Sequence, residues 1–407
     1  MSQQSLDTFV TSESNTLPVA GLLALAMTGF ISILTETIPA GLLPQIGQGL
    51  GVSEAFAGQT VTIYAIGSVI AAIPLTVATQ GWRRRSVLLF AIIGFLVFNT
   101  ITALSSNYFL TMTARFFAGI AAGLSWSLLA GYARRMVHPT LQGRAMALAM
   151  VGTPLALSLG VPMGTWLGNL VGWRIAFGIM SILTLVLIVW VLLTVPDYPG
   201  QSKRQRLPLH QVFTTPGVPS ILAVIVAWML AHNILYTYIA PFLAPAGLTE
   251  RVDLVLLIFG LAALIGIWIV SLIVDRWLRW SVLLSLTVFA VMALALGIGG
   301  TSPIVVYPAV AVWGLTFGGA ATLLQTALAD AAGDGADVAQ SMCVTVWNCA
   351  IAGGGIVGGF LLETQGVASF PWALLLSILV GLIIAAVARR NGFPAGHRVF
   401  KNGEDRL

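Results

Sequence analysis

Long apolar runs separated by short polar segments occupy nearly the whole chain. About twelve such runs can be distinguished, and each is close to or above the roughly 20 residues that a helix needs to cross a hydrocarbon core. The runs cover roughly residues 18–43, 56–79, 86–104, 108–133, 143–170, 173–195, 217–244, 252–274, 280–299, 303–329, 338–362 and 370–388. The pattern predicts an all-α integral membrane protein with twelve transmembrane helices.

Basic residues are concentrated in a few of the polar segments between the runs. Of the 19 Lys and Arg residues, 16 fall into five clusters at 83–85, 134–144, 203–206, 276–279 and 389–406. Two apolar runs separate each of the first three clusters from the next, and four runs separate the last two. If every run crosses the bilayer, all five clusters lie on one face. The positive-inside rule makes that face the cytoplasm. We therefore expect both termini to be cytoplasmic.

Composition excludes a water-soluble core. Hydrophobic residues make up 58% of the chain and charged residues 8%, whereas soluble domains contain about 25% charged residues. The net charge of +5 does not indicate nucleic-acid binding, because the basic clusters are short and adjoin apolar runs. Residues 1–16 contain no Lys or Arg, so we expect the first run to remain as a span rather than to be cleaved as a signal peptide.

The two groups of six runs resemble each other at a shift of 195 residues. At that shift Trp82, Arg84 and Ser86 recur as Trp277, Arg279 and Ser281, Gly119 and Gly123 recur as Gly314 and Gly318, and Gly160 and Gly164 recur as Gly355 and Gly359. Six-helix repeats of this kind occur in transporters, which bind substrate between them. For the glycines, the alternative interpretation is close packing of helix backbones.

A domain organisation follows from the repeat and from the mostly polar stretch at 197–210. We predict two pseudo-symmetric six-helix halves with cytoplasmic segments after each. The boundaries are 1–196 for the N-terminal half, 197–216 for a cytoplasmic linker, 217–390 for the C-terminal half and 391–407 for a cytoplasmic tail.

Ionisable side chains inside membrane spans are costly and are functional candidates by default. Glu36 in the first run and Arg115 in the fourth are the clearest. Thr28, Ser32 and Glu36 share one helix face, which we expect to line an aqueous path. Both charged residues are predicted to couple transport to protons. The alternatives are that Glu36 is an interfacial carboxylate and that Arg115 extends to the outer headgroups.

Aromatic and amide side chains in other spans predict a substrate cavity. Trp228, His232 and Tyr236 form one stripe on the seventh run. The full set of predicted substrate-binding residues is Ser32, Tyr64, Trp126, Trp228, His232, Asn233, Tyr236, Gln325 and Asn348. Such a cavity suits an uncharged polar or amphipathic small molecule. Each of these groups taken singly is also typical of hydrogen bonding between neighbouring helices.

Metal and cofactor sites have no support in the sequence. The four histidines and two cysteines lack the spacing of metal ligands. The glycines at 353, 355 and 358 fit a dinucleotide motif in spacing only, because they lie inside an apolar helix rather than after a strand. No nucleophile and base set emerges, so we expect neither a cofactor nor an enzyme.

The chain resembles the major facilitator superfamily, specifically its twelve-span drug:proton antiporter branch. The segments 35–44, 172–177 and 232–241 are similar to those of prokaryotic sugar-efflux and purine-ribonucleoside-efflux members. The loop motif of the family corresponds to residues 80–85, where Arg84 and Arg85 match and Gln80 replaces the usual acid. Its second copy corresponds to Asp275 and Arg276.

Two further motifs carry the resemblance. Arg115 and Gly119 match the Arg motif of the fourth helix, with Ala118 at a commonly polar position. Gly160, Pro162 and Gly164 match the glycine-rich antiporter motif of the fifth helix, without its Gly-Pro adjacency.

The resemblance implies a monomeric carrier of the bacterial inner membrane that exports a small organic solute in exchange for protons. Alternating access to a central cavity would carry a sugar, a nucleoside or a drug-like compound, the last of these in multidrug resistance. A passive facilitator or an uptake carrier is the alternative. A membrane receptor or enzyme is less favoured because no loop is long enough to house a further domain, and no filter typical of a channel is evident.

Overall fold

The computed structural model describes residues 17–72, 74–79, 81–138, 141–200 and 209–394. Within these ranges the chain is helical and contains no strand. Eleven helical stretches are long and apolar enough to cross a membrane, as expected for an all-α membrane protein. The predicted span at 56–79 falls on Glu54–Ala72 and Pro74–Ala78, on either side of residue 73, which lies outside the described part.

The helices of the first half of the chain are α1 (Val19–Gly41), α2 (Leu43–Leu50), α3 (Glu54–Ala72), α4 (Pro74–Ala78), α5 (Arg84–Leu104), α6 (Tyr108–Arg135), α7 (Gln142–Met150), α8 (Gly152–Leu155), α9 (Val161–Val171) and α10 (Trp173–Thr194). Those of the second half are α11 (Leu209–Phe213), α12 (Val218–Thr237), α13 (Ile239–Leu243), α14 (Val252–Gly299), α15 (Pro303–Gly318), α16 (Ala320–Ala332), α17 (Ala336–Thr364) and α18 (Phe370–Val387).

Prolines explain several interruptions of the predicted runs. Proline has no backbone N–H and its ring crowds the preceding turn, so helices break or bend beside it. In the fifth run a π-helical turn at Ala156–Gly160 ends two residues before Pro162. In the seventh run α12 ends at Thr237, four residues before Pro241.

The predicted spans at 252–274 and 280–299 are both present, as Thr249–Val274 and Arg276–Gly299, and they join at a kink within α14 rather than through a loop. In α14 only Trp277 leaves helical geometry, with φ −128° and ψ 27°. The equivalent connection in the first half contains Gly81, which opens a turn between α4 and α5. Arg276 stands at the corresponding position 195 residues later. Without a glycine or proline, the second connection remains a kinked helix.

Close helix contacts recur at the interval found in the sequence. A Cβ on Gly119 of α6 would lie 1.9 Å from the carbonyl oxygen of Tyr64 in α3, and one on Gly314 of α15 would lie 2.2 Å from that of Phe259 in α14. Both the glycines and their carbonyl partners are 195 residues apart. The same holds one turn on for Gly123 with Ser68 and Gly318 with Ala263. These glycines allow the backbones to touch.

The helix ends define two ends of the bundle. We call the end that carries Arg83–Arg85, Arg134–Arg135, Arg276–Arg279 and Arg389–Arg390 the basic end. The opposite end carries the connection at 51–53 between α2 and α3 and the C-terminus of α17. Hydrogen bonds that join the two halves of the chain lie at the opposite end, between Ser53 and Glu363 and around Tyr238.

Candidate functional site

Arg115 is the central charged group of the first half. Its side chain is 1% exposed and donates to the backbone carbonyl oxygens of Thr35 at 2.6 Å, Glu36 at 3.4 Å and Thr60 at 3.2 Å. The guanidinium carbon lies 4.9 Å from the centre of the Tyr64 ring. The side chain therefore points into the protein from α6 and does not extend to the outer headgroups, which answers one alternative raised by the sequence.

Glu36 is also enclosed, with 6% of its surface exposed. No described residue donates a hydrogen bond to its carboxylate, and the Arg115 guanidinium forms no ion pair with it. Helix α1 also packs against α12 of the second half, the helix that carries Tyr236. Glu36 thus lies on a helix that contacts both halves of the chain. A buried acid without a fixed partner is suited to binding and releasing a proton.

Polar contacts around Glu36 tie α1 to its neighbours. The Tyr64 hydroxyl of α3 donates to the carbonyl oxygen of Ser32 at 2.9 Å and lies 3.4 Å from the Ser32 hydroxyl. The Asn99 amide of α5 donates to the Thr35 hydroxyl at 2.9 Å. Ser32 and Tyr64, both predicted cavity residues, are therefore brought together, and both are already engaged.

A cluster of aromatic rings surrounds His232. We call His232, Tyr236, Phe259, Trp313 and Phe317 the ring cluster. The imidazole lies parallel to the Phe317 ring, with centroids 3.5 Å apart at 8°. The rings of Tyr236 and Trp313 have centroids 5.0 and 5.2 Å from that of the imidazole. Phe259 and Trp313 pack 4.5 Å apart. α12, α14 and α15 together build this cluster.

Four polar atoms beside or within the ring cluster have no hydrogen-bond partner among the described residues. They are Nδ1 of His232, the hydroxyl of Tyr236 and the indole nitrogens of Trp228 and Trp313. Buried polar groups in proteins are nearly always paired, and leaving one unpaired costs about 1–3 kcal/mol. Atoms of this kind are free to bind a polar ligand or water.

The remaining predicted cavity residues lie apart from the ring cluster. The amides of Asn233 and Asn348 each donate to a carbonyl oxygen one turn earlier in their own helix. Trp126 packs against α1 at Gly29, and Gln325 is exposed on α16. The cavity predicted from the sequence therefore divides into a ring cluster with Glu36 and several separate side chains.

The opposite end is closed by Tyr238, which the predicted site did not include. Its hydroxyl donates to the carbonyl oxygens of Gly355 at 2.8 Å and Ala55 at 3.3 Å. The Gln59 amide donates to the Tyr238 hydroxyl and to the Gly355 carbonyl oxygen, both at 3.1 Å. A Cβ on Gly58 or Gly358 would collide with the phenol ring. These contacts join α3 of the first half to α12 and α17.

A second contact between the halves lies nearby. The Ser53 hydroxyl, just before α3, donates to the Glu363 carboxylate of α17 at 3.0 Å. Gln59 is a single polar residue and the facing surface of α17 consists of small residues, so neither stands out in the sequence. Only the run of glycines at 353–359 could have suggested that a large side chain inserts there.

The loop motif lies at the basic end. The Arg83 guanidinium pairs with Asp197, and the backbone N–H of Arg85 donates to the same carboxylate at 3.3 Å. Desolvation alone would raise the pKa of Asp197, but these hydrogen bonds outweigh it and hold the pKa below its ordinary value. Arg84 is buried and its backbone N–H donates to the carbonyl oxygen of Tyr198.

The second copy of the loop motif differs from the first. Arg276 is exposed within the kinked part of α14, and the side chain of Asp275 lies outside the described part. Arg279 donates instead to the carbonyl oxygens of Ala385 and Phe393 at the C-terminal end of α18. A cation is favourable at that position because it satisfies free carbonyls.

The antiporter-like motif packs against α1. A Cβ on Gly160 would lie 2.8 Å from the Phe30 ring, and one on Gly164 would lie 2.6 Å from Ile38. Pro162 is buried at the start of α9. The motif therefore brings the fifth predicted span close to the helix that carries Glu36.

Comparison with known proteins identifies the family. The family model described as Major Facilitator Superfamily matches residues 25–341, which is most of the chain. The chain belongs to the major facilitator superfamily. It is therefore a multi-pass membrane transporter and not an enzyme, and the resemblance drawn from the sequence is confirmed.

Curated relatives in the major facilitator superfamily are efflux pumps. The purine ribonucleoside efflux pump NepI of Shigella sonnei is 29% identical over 357 residues, which are 87% of this chain and 90% of the relative. Pumps of the same name from Escherichia coli and Shigella boydii are 29% and 30% identical over 358 and 362 residues, with the same shares covered. The similarity therefore extends through both halves of the chain.

Proposed function

We propose that this transporter exports a purine ribonucleoside or a closely similar solute in exchange for protons. The ring cluster is the observation that carries the proposal. A purine is a planar nitrogen heterocycle, and stacking on aromatic side chains is the usual way in which proteins bind such rings. The His232 imidazole, itself a planar nitrogen heterocycle, already lies parallel to Phe317 at 3.5 Å.

The unpaired polar atoms support the same cargo. Nδ1 of His232 and the two indole N–H groups need partners, and a purine carries both acceptor and donor atoms around its edge. We propose that the base enters the ring cluster, stacks on Phe317 in place of the imidazole, and takes hydrogen bonds from these groups. A sugar has no planar aromatic ring to stack between the side chains, and a purely apolar drug has no hydrogen-bond acceptors.

Proton coupling is proposed to use Glu36. Helix α1, which carries Glu36, packs against α12, which carries His232 and Tyr236 of the ring cluster, so cargo and proton would act on neighbouring helices. A carrier moves its cargo in one direction when ligands bind its two states unequally. Protonation of Glu36 from outside and cargo binding from inside would satisfy that condition.

We propose alternating access between two six-helix halves, 1–196 and 217–390, joined by a linker at 197–216 and followed by a tail at 391–407. The matching glycine contacts at an interval of 195 residues support this division. Under the positive-inside rule the basic end faces the cytoplasm of a bacterial inner membrane, with both termini there. Closure at Tyr238 then corresponds to the state that accepts cargo from the cytoplasm. The carrier is proposed to be a monomer with twelve spans.

Transport in proteoliposomes tests the proposal. Vesicles loaded with labelled adenosine should lose it faster when the outside is made acidic, because inward proton flow drives export. Vesicles loaded with a labelled hexose should show no such response. Adenosine movement that ignores the pH gradient would leave passive facilitation, and a lack of adenosine movement with transport of the hexose would reject the cargo assignment. Faster adenosine entry into vesicles with acidic outside would indicate uptake by symport instead.

A further inference from the structure

Arg115 binds backbone carbonyl groups where a charged partner would be expected. A guanidinium has five N–H donors and no acceptor. In this protein its nitrogens are directed to the carbonyl oxygens of Thr35, Glu36 and Thr60, and it makes no ion pair with the Glu36 carboxylate. The charge is therefore used to hold two helix backbones, α1 and α3.

The carbonyl oxygen of Thr35 lacks the backbone donor that a regular helix would supply. In an α-helix each carbonyl accepts from the N–H four residues later. Four residues after Thr35 the chain has Pro39, inside α1, and proline has no N–H to donate. The carbonyl is thus left free within a membrane span, where water does not replace the missing partner. The Arg115 guanidinium lies 2.6 Å from it.

Thr35 is also held by its side chain. The Asn99 amide of α5 donates to the Thr35 hydroxyl, while Nε of Arg115 reaches the Thr60 carbonyl of α3 at 3.2 Å. Helices α3, α5 and α6 therefore meet α1 at Thr35. Glu36 is the next residue, so its position depends on these contacts.

We propose that Arg115 is a positioning residue that replaces the backbone donor missing at Pro39 and so fixes the segment of α1 that carries Glu36. The inference rests on the proposed proton coupling through Glu36. It differs from a role of Arg115 as the charge partner of Glu36 or as a ligand of the cargo. A lysine at this position would keep the charge but has a single ammonium group, which lacks the planar fork that serves several acceptors.

A double-mutant cycle between Arg115→Lys and Pro39→Ala tests the proposal. Alanine at position 39 supplies the N–H that the Thr35 carbonyl lacks. We expect Arg115→Lys alone to lower the maximal transport rate roughly tenfold or more, since a buried hydrogen bond to a charged group is lost. In the Pro39→Ala background the same change should cost less than about threefold, because interacting sites are not additive. The KM for cargo should stay unchanged in all four proteins.

Pro308→Ala provides the matched control. Pro308 also lies inside a helix, in α15, and Arg115 does not contact that helix. It should give no rescue of Arg115→Lys. If Arg115→Lys fails to accumulate in membranes, accumulation becomes the readout: Pro39→Ala must restore it and Pro308→Ala must not.

Three results would overturn the proposal. They are full transport by Arg115→Lys, an equal loss with and without the Pro39→Ala change, or a raised KM, which would mean direct contact with cargo. Thermal unfolding of the four purified proteins without cargo gives the same cycle independently of transport. If the unfolding temperatures are non-additive but no nucleoside is transported, the proposed cargo is rejected. The role of Arg115 in fixing α1 is then retained.

Discussion

Glu36 carries a carboxylate into the interior of the bundle, where no described residue donates a hydrogen bond to it. We predict that Glu36→Gln abolishes the acceleration of adenosine export by an acidic exterior, because the amide cannot bind and release a proton. Exchange of labelled for unlabelled adenosine across the membrane needs no net proton movement and should persist. Proteoliposome assays of both modes check the prediction. A preserved response to the pH gradient in Glu36→Gln would assign the proton to another group.

Phe317 is the closest ring partner of His232 and tests the cargo directly. We predict that Phe317→Leu raises the KM for adenosine roughly tenfold, because stacking of a base on an aromatic side chain contributes about 1–3 kcal/mol. Phe360→Leu is the matched control, since Phe360 of α17 is 64% exposed and lies away from the ring cluster. Equal KM values in Phe317→Leu and the wild type would separate the cargo from the ring cluster.

Part of this site could be predicted from the sequence, and the residues that could not be predicted share a physical reason. The helical period placed Trp228, His232 and Tyr236 on one stripe, and scarcity of charge singled out Glu36 and Arg115. Phe259, Trp313 and Phe317 gave no signal, because aromatic residues in an apolar helix are typical of packing. Their role depends on distances between helices that are far apart along the chain, which residue spacing does not contain.

Single glycines set the spacing of whole helices. We predict that Gly119→Ala destabilises the protein by about 1–3 kcal/mol, the usual cost of overpacking, because the new methyl group would lie 1.9 Å from the Tyr64 carbonyl oxygen. Gly178→Ala in α10 is the control, since a Cβ there meets nothing within 4 Å. That change should be neutral or stabilising by up to about 1 kcal/mol. Thermal unfolding in detergent measures both, and equal effects would contradict the packing explanation.

Hydropathy predicted the eleven membrane spans found among the described residues, but not how consecutive spans are connected. The two spans of α14 meet at a kink rather than a loop because Arg276 stands where the first half has Gly81, so the connection has no residue that favours a turn. The π-helical turn before Pro162 likewise reflects how one missing N–H is accommodated by the neighbouring turn. Apolar periodicity reports which residues meet lipid or protein, and it does not report such local adjustments of the backbone.

At the scale of the whole molecule, hydrogen bonds join the two halves at the end opposite the basic end. We predict that cross-linking Ser53→Cys to Glu363→Cys with a short thiol reagent, in a Cys349→Ser background, stops transport and that reversal of the link restores it. The two side chains are 3.0 Å apart across the halves. Alternating access requires that distance to grow, so a fixed link traps the closed state.

A control pair separates this effect from rigidity in general. Gln45 and Asn169 are hydrogen bonded at the same end but within one half. Linking Gln45→Cys to Asn169→Cys should leave transport unchanged, because rigid halves can still rock against each other. Transport that continues with residues 53 and 363 linked would mean that the halves do not separate at this end.

The glycines around Tyr238 are also positions at which random point mutations should inactivate the protein. Every glycine codon converts to alanine by one base change, and at positions 58 and 358 even that methyl group would meet the phenol ring. Errors in copying should therefore inactivate the carrier at these codons as readily as at the codons for Glu36 and Arg115. A random screen for lost nucleoside tolerance should return both sets of alleles, although the glycines bind neither cargo nor proton.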